Sequence, residues 1–182
     1  MTQEAHRQVL EYWFDVLEPA DWFKVSADVD AAISERFGGL HLALSRQCGA
    51  EWTERPEACL SAIIVFDQFS RNMYRGSPLA FATDCLALAL ARDAVAKGMD
   101  AAVPEERRAF FYLPFEHSEH MADQDRSVEL FAALGNPLYL DYAERHRDVI
   151  RRFGRFPHRN PILMRASTPE EEVYLATPGS GF

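Results

Sequence analysis

The sequence predicts an all-α fold. Apolar residues recur at helical spacing along nearly the whole chain, no stretch alternates convincingly with period two, and caps and breakers fall at helix-length intervals. The first helix is expected over Gln3 to Leu17, where Val9, Leu10, Trp13, Phe14 and Leu17 share a core face, and Pro19 ends it. Asp21-Trp22-Phe23 forms an aromatic connection to a second helix from about Asp28 to Cys48, which Gly38-Gly39 can interrupt. The third begins near Pro56 and is apolar on almost every side through Phe66, the mark of a central, buried helix. Ser77 as N-cap and Pro78 at the first helical position open a fourth, rich in alanine and leucine, that closes at a Gly98 C-cap. Pro104 opens the next. Gly135-Asn136-Pro137 separates two more, the second covering Leu138 to Phe153 and ending at Gly154. Thr168-Pro169-Glu170-Glu171 reads as an N-cap with a capping-box glutamate, so a short last helix covers about Pro169–Ala176. About seven or eight helices joined by short turns thus form an antiparallel helical array, and with no stretch of linker composition residues 1–182 are read as a single domain.

Composition narrows the function classes. A hydrophobic fraction of 48% with 26% charged residues is a globular balance. A formal charge of −9 excludes an extensive nucleic-acid-binding surface, which needs a basic footprint. The longest apolar stretches, around Ala58–Phe66 and Leu86–Ala91, fall far short of the roughly 20 residues a membrane-spanning helix requires. Neither nucleic acid nor membrane is therefore an expected partner. Residues Met1 to Arg7 are polar and lack the apolar core of a signal peptide. Cys48, Cys59 and Cys85 form no C-x-x-C pair, so three buried thiols in a reducing, cytoplasmic compartment are expected. No P-loop, dinucleotide fingerprint or nucleophile elbow occurs, and no cofactor is expected. Positive charge is carried by arginine, since only Lys24 and Lys97 are lysines, and arginine can hold anions bidentately.

Three segments concentrate the chemistry. On a helical projection Asp67, Gln68, Arg71, Asn72 and Arg75 share one arc, opposite Phe66, Phe69 and Met73. Burying such charges unpaired is prohibitive, so they must meet partners or line a cavity. In Leu113 to His120, a helical reading groups Glu116, His117 and His120 with Gln124, and Pro114 is expected to kink the helix. Arg151 to Asn160 carries four arginines and a histidine around Gly154 and Pro157, the make-up of a shaped loop.

The strings DQFSRNMYRG, LPFEHSEHMADQ and RFGRFPHRN, with RASTPEEE after them, resemble the uncharacterised bacterial family known as domain of unknown function 924. The likeness runs from about Trp13-Phe14 to the carboxyl terminus, and long motifs in the correct order make it specific. It implies an all-α, tetratricopeptide-like fold and no known activity. By matching, it singles out Asp67, Gln68, Arg71, Asn72, Arg75, Glu116, His117, Glu119, Arg155, His158, Arg159 and Asn160. The chain departs at His120 and Met164, where the family favours an acidic residue and a glycine, so no scheme rests on His120.

Three functions suit such a cluster. The first is a buried charge network in which Arg71, Arg75, Arg155 and Arg159 pair with Asp67, Glu116 and Glu119 and line a small anion-binding pocket. The second is an enzyme in which Glu116 or Glu119, with His117 or His158, exchanges protons with a phosphate- or carboxylate-bearing substrate held by arginine. The third is a tetratricopeptide-like module that grips an acidic peptide or protein tail. A metal on His117 and His120, completed by Glu116 or His146, ranks below these, because no Glu-x-x-His pair of di-iron type occurs there. All three leading readings require the segments near positions 70, 117 and 157 to meet in space.

Overall fold

The computed structural model describes residues 2–181, with side chains from residue 4 onward. Every regular element among them is helical. The chain forms two compact units: Met1–Arg75 with Leu79–Pro114, and Gly76–Pro78 with Phe115–Phe182.

In the first unit, α1 (Thr2–Glu11) runs directly into a π-helical turn at Tyr12–Val16. Ser26 caps α2 (Ala27–Arg46), its side chain accepting from the Val29 N–H at 3.4 Å. The expected interruption at Gly38-Gly39 is absent, because α2 continues through both glycines. At Gly38 a Cβ would meet only the Met73 sulfur at 4.0 Å, an ordinary van der Waals contact, so no close approach requires the glycine there. A single turn, α3 (Ala50–Thr53), precedes α4 (Pro56–Ile64), which passes through a second π turn, Val65–Phe69, into α5 (Ser70–Met73). Every residue from Ala58 to Ser70 is buried, as the all-round apolar pattern predicts, and α1, α3 and α6 (Asp84–Ala96) pack against α4. Trp13 anchors one side of this core with Phe69 and Phe110, both edge-on at 5.6 and 5.7 Å. Phe23, in the aromatic connection between the first two helices, is 60% exposed.

The fourth helix starts later than Ser77-Pro78 implies. Pro78–Phe81 makes one 3-10 turn, and α6 begins only at Asp84. The reason lies in the π turn. The Phe66 carbonyl within it accepts the Thr83 hydroxyl at 2.7 Å, and the Ser70 hydroxyl lies 2.6 Å from Phe66 O and 3.2 Å from Ala80 O. These contacts hold residues 80–83 to the π turn and stop the first turn from propagating. Because Thr83 donates to Phe66, His41 supplies the proton in its own 3.3 Å contact with the Thr83 hydroxyl, through Nε2. Of the three cysteines only Cys59 is buried; Cys48 is half-buried and Cys85 exposed, which corrects the expectation of three buried thiols.

Helix α7 (Glu105–Glu116) contains Pro114, and the division between units falls immediately after that residue. In the second unit α8 (Met121–Leu134) and α9 (Pro137–Phe153) form a hairpin joined by Gly135-Asn136. Gly135 takes φ of 78°, and the Asn136 side chain accepts from Leu138 and Tyr139 N–H at 3.0 and 3.3 Å. Gly154 then ends α9, as expected. The capping box of α10 (Pro169–Leu175) is also present, with Thr168 and Glu171 exchanging side-chain and backbone hydrogen bonds. Val149, Ile150 and Phe156 form a core with Phe153, Tyr174 and Met121 around it. The continuous helix expected through His120 is broken: α7 ends at Glu116 and residues 117–120 are irregular, so His117 and His120 are not on one helical turn. The Gln124 amide causes this, donating to the Glu116 and Ser118 carbonyls at 2.6 and 2.7 Å and so satisfying the helix end. The described residues contain ten α-helices rather than seven or eight, because single turns such as α3 occupy connections and the π turn separates α4 from α5.

Candidate functional site

The second unit gathers Glu116, Glu119, His146, Phe156, His158, Arg159 and Asn160 around the loop after α9. Two arginine–carboxylate clamps shape that loop. Arg165 donates to Glu119 through Nη1 and Nη2 at 2.7 and 2.9 Å, and the same carboxylate accepts the Phe156 N–H at 2.8 Å. Arg155 donates to Glu171 through Nε and Nη2 at 2.6 and 2.8 Å, and Glu171 also accepts the Thr168 N–H at 2.8 Å. Buried Asn160 ties the clamps together, accepting from Arg165 Nε at 3.0 Å and donating to Glu171 at 3.3 Å. Paired, bidentate guanidinium–carboxylate contacts are the form in which such charges tolerate burial. The Arg155 hydrogen bonds, against the effect of burial, hold the Glu171 carboxyl down to about 2. Burial alone raises the Glu119 carboxyl, but the hydrogen bonds from Arg165 and Phe156 outweigh it and leave it below its ordinary range.

The clamps hold Phe156 from both sides of its backbone, since its carbonyl accepts from Arg165 at 3.1 Å. Around the fully buried Phe156 ring sit His146 and His158, each with ring centroids 5.6 Å away, and the Arg159 guanidinium 4.6 Å from the ring centre. Arg159 is 6% exposed and its face packs over the aromatic ring in a cation–π contact. His146 Nδ1 lies 2.8 Å from the Tyr142 carbonyl and 3.3 Å from Glu116 Oε1. Both are acceptors, so Nδ1 carries the proton and Nε2 is the ring's acceptor. Burial drives the His146 imidazole well below its ordinary value, and the nearby His117 and Arg159 lower it further. Burial and Arg159 push His158 down to about 4. Two imidazoles neutral at physiological pH thus stand beside a permanent cation. Among the described residues, no group of His, Cys, Asp and Glu is arranged to hold a metal ion.

The segment at 67–75 lies in the first unit and finds carboxylates there. Arg71 donates to both oxygens of Asp84 at 3.0 and 3.1 Å and lies 3.3 Å from Asp67 Oδ1. Gln68 donates to Asp67 at 2.6 Å. Arg75 donates to Asp30 through Nε and Nη2 at 2.7 and 2.9 Å, and Asn72 adds a 2.8 Å hydrogen bond to the same carboxylate. The sequence reading missed Asp30, Asp84, Arg165 and Glu171, and named His146 only as a metal ligand. The expected network joins Arg71, Arg75, Arg155 and Arg159 to Asp67, Glu116 and Glu119; the contact of Arg71 with Asp67 is present, Arg75 and Arg155 turn to Asp30 and Glu171, and Arg159 packs over Phe156. Arg165 and Glu171 stood within the RASTPEEE string, but no spacing rule points from Arg165 to Glu119 across 46 positions.

A solved structure of a protein of unknown function from Agrobacterium tumefaciens is similar to this chain, with 43% identity and a TM-score of 0.92, over 97% of this chain and 99% of that one. No curated protein matches. The family described as bacterial protein of unknown function, DUF924, matches residues 9–179. The helical architecture and the ordered motifs thus have one source: the chain belongs to the DUF924 family of bacterial proteins.

Proposed function

We propose that the second unit is a receptor for a small anion bearing a carboxylate or phosphate, held by Arg159 with His146 and His158 beside it. The observation that carries this reading is the arrangement on Phe156, where one guanidinium and two neutral imidazoles pack around a ring whose backbone both Glu119 and Arg165 grip. A guanidinium is the side chain whose planar fork matches a carboxylate or phosphate, and neutral imidazoles add polar contacts without a further charge to desolvate. Glu119, Arg155, Asn160, Arg165 and Glu171 are the frame that holds this loop. Arg71, Asn72 and Arg75, with Asp67 and Gln68, take a structural part in the first unit, supported by their hydrogen bonds to Asp84 and Asp30. A cytoplasmic setting fits, because the exposed Cys85 thiol is free and a reducing compartment preserves it.

A second reading makes the same site catalytic, and the 3.3 Å contact of Glu116 with His146 favours it. Glu116 would orient the imidazole and His146 Nε2 would accept a proton from the bound molecule, with the His117 ring 6.4 Å from that imidazole. Calorimetric titration of the full chain with inorganic phosphate, succinate and an acidic peptide tests the anion site. Binding is expected to vanish in Arg159→Gln and to survive in part in Arg159→Lys. An anion at about 100 times its dissociation constant should stabilise the fold by about 2.7 kcal/mol. If millimolar concentrations of these probes leave the melting temperature unmoved, the reading fails.

A further inference from the structure

The connection between the first two helices lays an aromatic cluster open on the surface of the first unit. Trp13 is its buried end, and Trp22 stacks on it with ring planes 15° apart and centroids at 6.2 Å. The Trp22 indole donates to the Trp13 carbonyl at 2.7 Å, which satisfies its single donor and fixes the ring in place. Half-buried Phe14 meets Trp22 edge-on at 5.7 Å, and Phe23 meets it edge-on at 6.5 Å with most of its own surface exposed. Val16 and Val25, 57% and 69% exposed, adjoin these rings in the chain. A solitary exposed apolar side chain needs no explanation. Rings in mutual contact, locked by a hydrogen bond and leading from the core to solvent, are the rigid aromatic anchors that carry binding energy at protein interfaces.

The charges around the rings select the partner. From residue 11 to residue 28 the chain carries Glu11, Asp15, Glu18, Asp21 and Asp28 against Lys24 alone. The Asp21 carboxylate accepts the Glu18 N–H at 3.2 Å, which holds it at the loop that presents Trp22. Arg107 already shows how this surface receives positive charge: its guanidinium lies 4.7 Å from the centre of the Phe14 ring, with the Asp15 carboxylate 3.8 Å away. We propose that this patch docks a basic amphipathic segment of another protein, whose apolar side chains cover Phe23 and Trp22 and whose lysines or arginines meet Asp15, Glu18 and Asp21. Charge opposes the other occupants. A second copy in a two-fold contact would set the acidic rim against itself, and the anionic surface of a bilayer would repel it. Each exposed carboxylate contributes little, so the rings supply most of the affinity, on the order of 10 μM, and the acids choose the partner.

Calorimetry of the full chain with a short amphipathic peptide of leucine and lysine tests this. One control peptide has glutamate for every lysine, and another has serine for every leucine. Binding is expected with the leucine–lysine peptide alone. Phe23→Ser and Glu18→Lys alter exposed positions, so both should keep the native circular dichroism and weaken binding about tenfold or more. The proposal is overturned if that peptide does not bind, if either control binds as tightly, or if Phe23→Ser binds like the native chain. Sedimentation and phosphatidylserine vesicles address the other occupants: a dimer, or vesicle binding, that Phe23→Ser abolishes would equally overturn it.

Discussion

Arg71 shows what a buried charge requires. It reaches both oxygens of Asp84 while lying against Asp67, whose side chain is almost fully enclosed. Arg71→Ala would remove the guanidinium that Asp84 and buried Asp67 share, and the expected loss is roughly 3–5 kcal/mol in urea denaturation. A variant as stable as the native chain would remove Arg71 from the structural role assigned to it. Met164 makes the opposite case. It adopts φ of 54° and is 88% exposed, so its side chain contributes strain and little packing. Met164→Gly is therefore expected to stabilise by roughly 0.5–1 kcal/mol, the relief of the left-handed conformation less the extra freedom of glycine when unfolded. At this scale the sequence was informative about which residues carry charge and uninformative about their partners. Family resemblance already favoured glycine at Met164, whereas Asp30, the partner of Arg75, stood in a solvated-looking helix start with nothing to distinguish it from Asp28.

Elements were legible wherever a local signal decides them. The Asn136 cap, the Gly154 terminator and the Thr168–Glu171 capping box are short-range chemistry, and each appears where its residues predict. Thr168→Ala is expected to cost about 1 kcal/mol by thermal unfolding, since it removes the acceptor of the Glu171 N–H. Elements failed where a distant side chain overrides the local rule. Ser77-Pro78 is a sound helix start, yet the Thr83 hydroxyl is bonded to Phe66 and the helix waits until Asp84. Thr83→Val keeps the shape but leaves His41 Nε2 and one hydroxyl contact of the π turn unmade, with an expected cost of roughly 1–3 kcal/mol. The π turns themselves are invisible to a period of 3.6, so the projection that put Asp67 and Gln68 on one arc with Arg71 used an angle the backbone does not follow there.

For the whole molecule the histidines set the response to acid. His146 and His158 are held neutral, with folded values below the 6.5 of an unfolded chain. Between pH 6.5 and about 4 the unfolded chain binds protons that the folded one refuses, so stability falls as pH drops, by up to about 1.4 kcal/mol per pH unit for each site. Glu171 acts lower still: its depressed carboxyl stabilises the fold above about 4.5, and that contribution is lost as pH falls through about 2. Unfolding followed from pH 8 to 4 should therefore show a declining midpoint that His158→Gln flattens. A flat native profile would show that these imidazoles are not desolvated. The expectation of a single domain adds that heating the full chain produces one cooperative transition, and two separate ones would assign a domain to each compact unit.

Helical class, most helix ends, the central buried helix and the residues with chemistry to offer were all determined by sequence alone, because periodicity, caps and breakers act over a few residues. Which carboxylate meets which guanidinium, where His146 enters, and how Phe156 comes to be ringed by cation and imidazoles were decided only by tertiary structure. Such pairings join positions as far apart as 46 residues, where no local preference reaches and only packing brings side chains together.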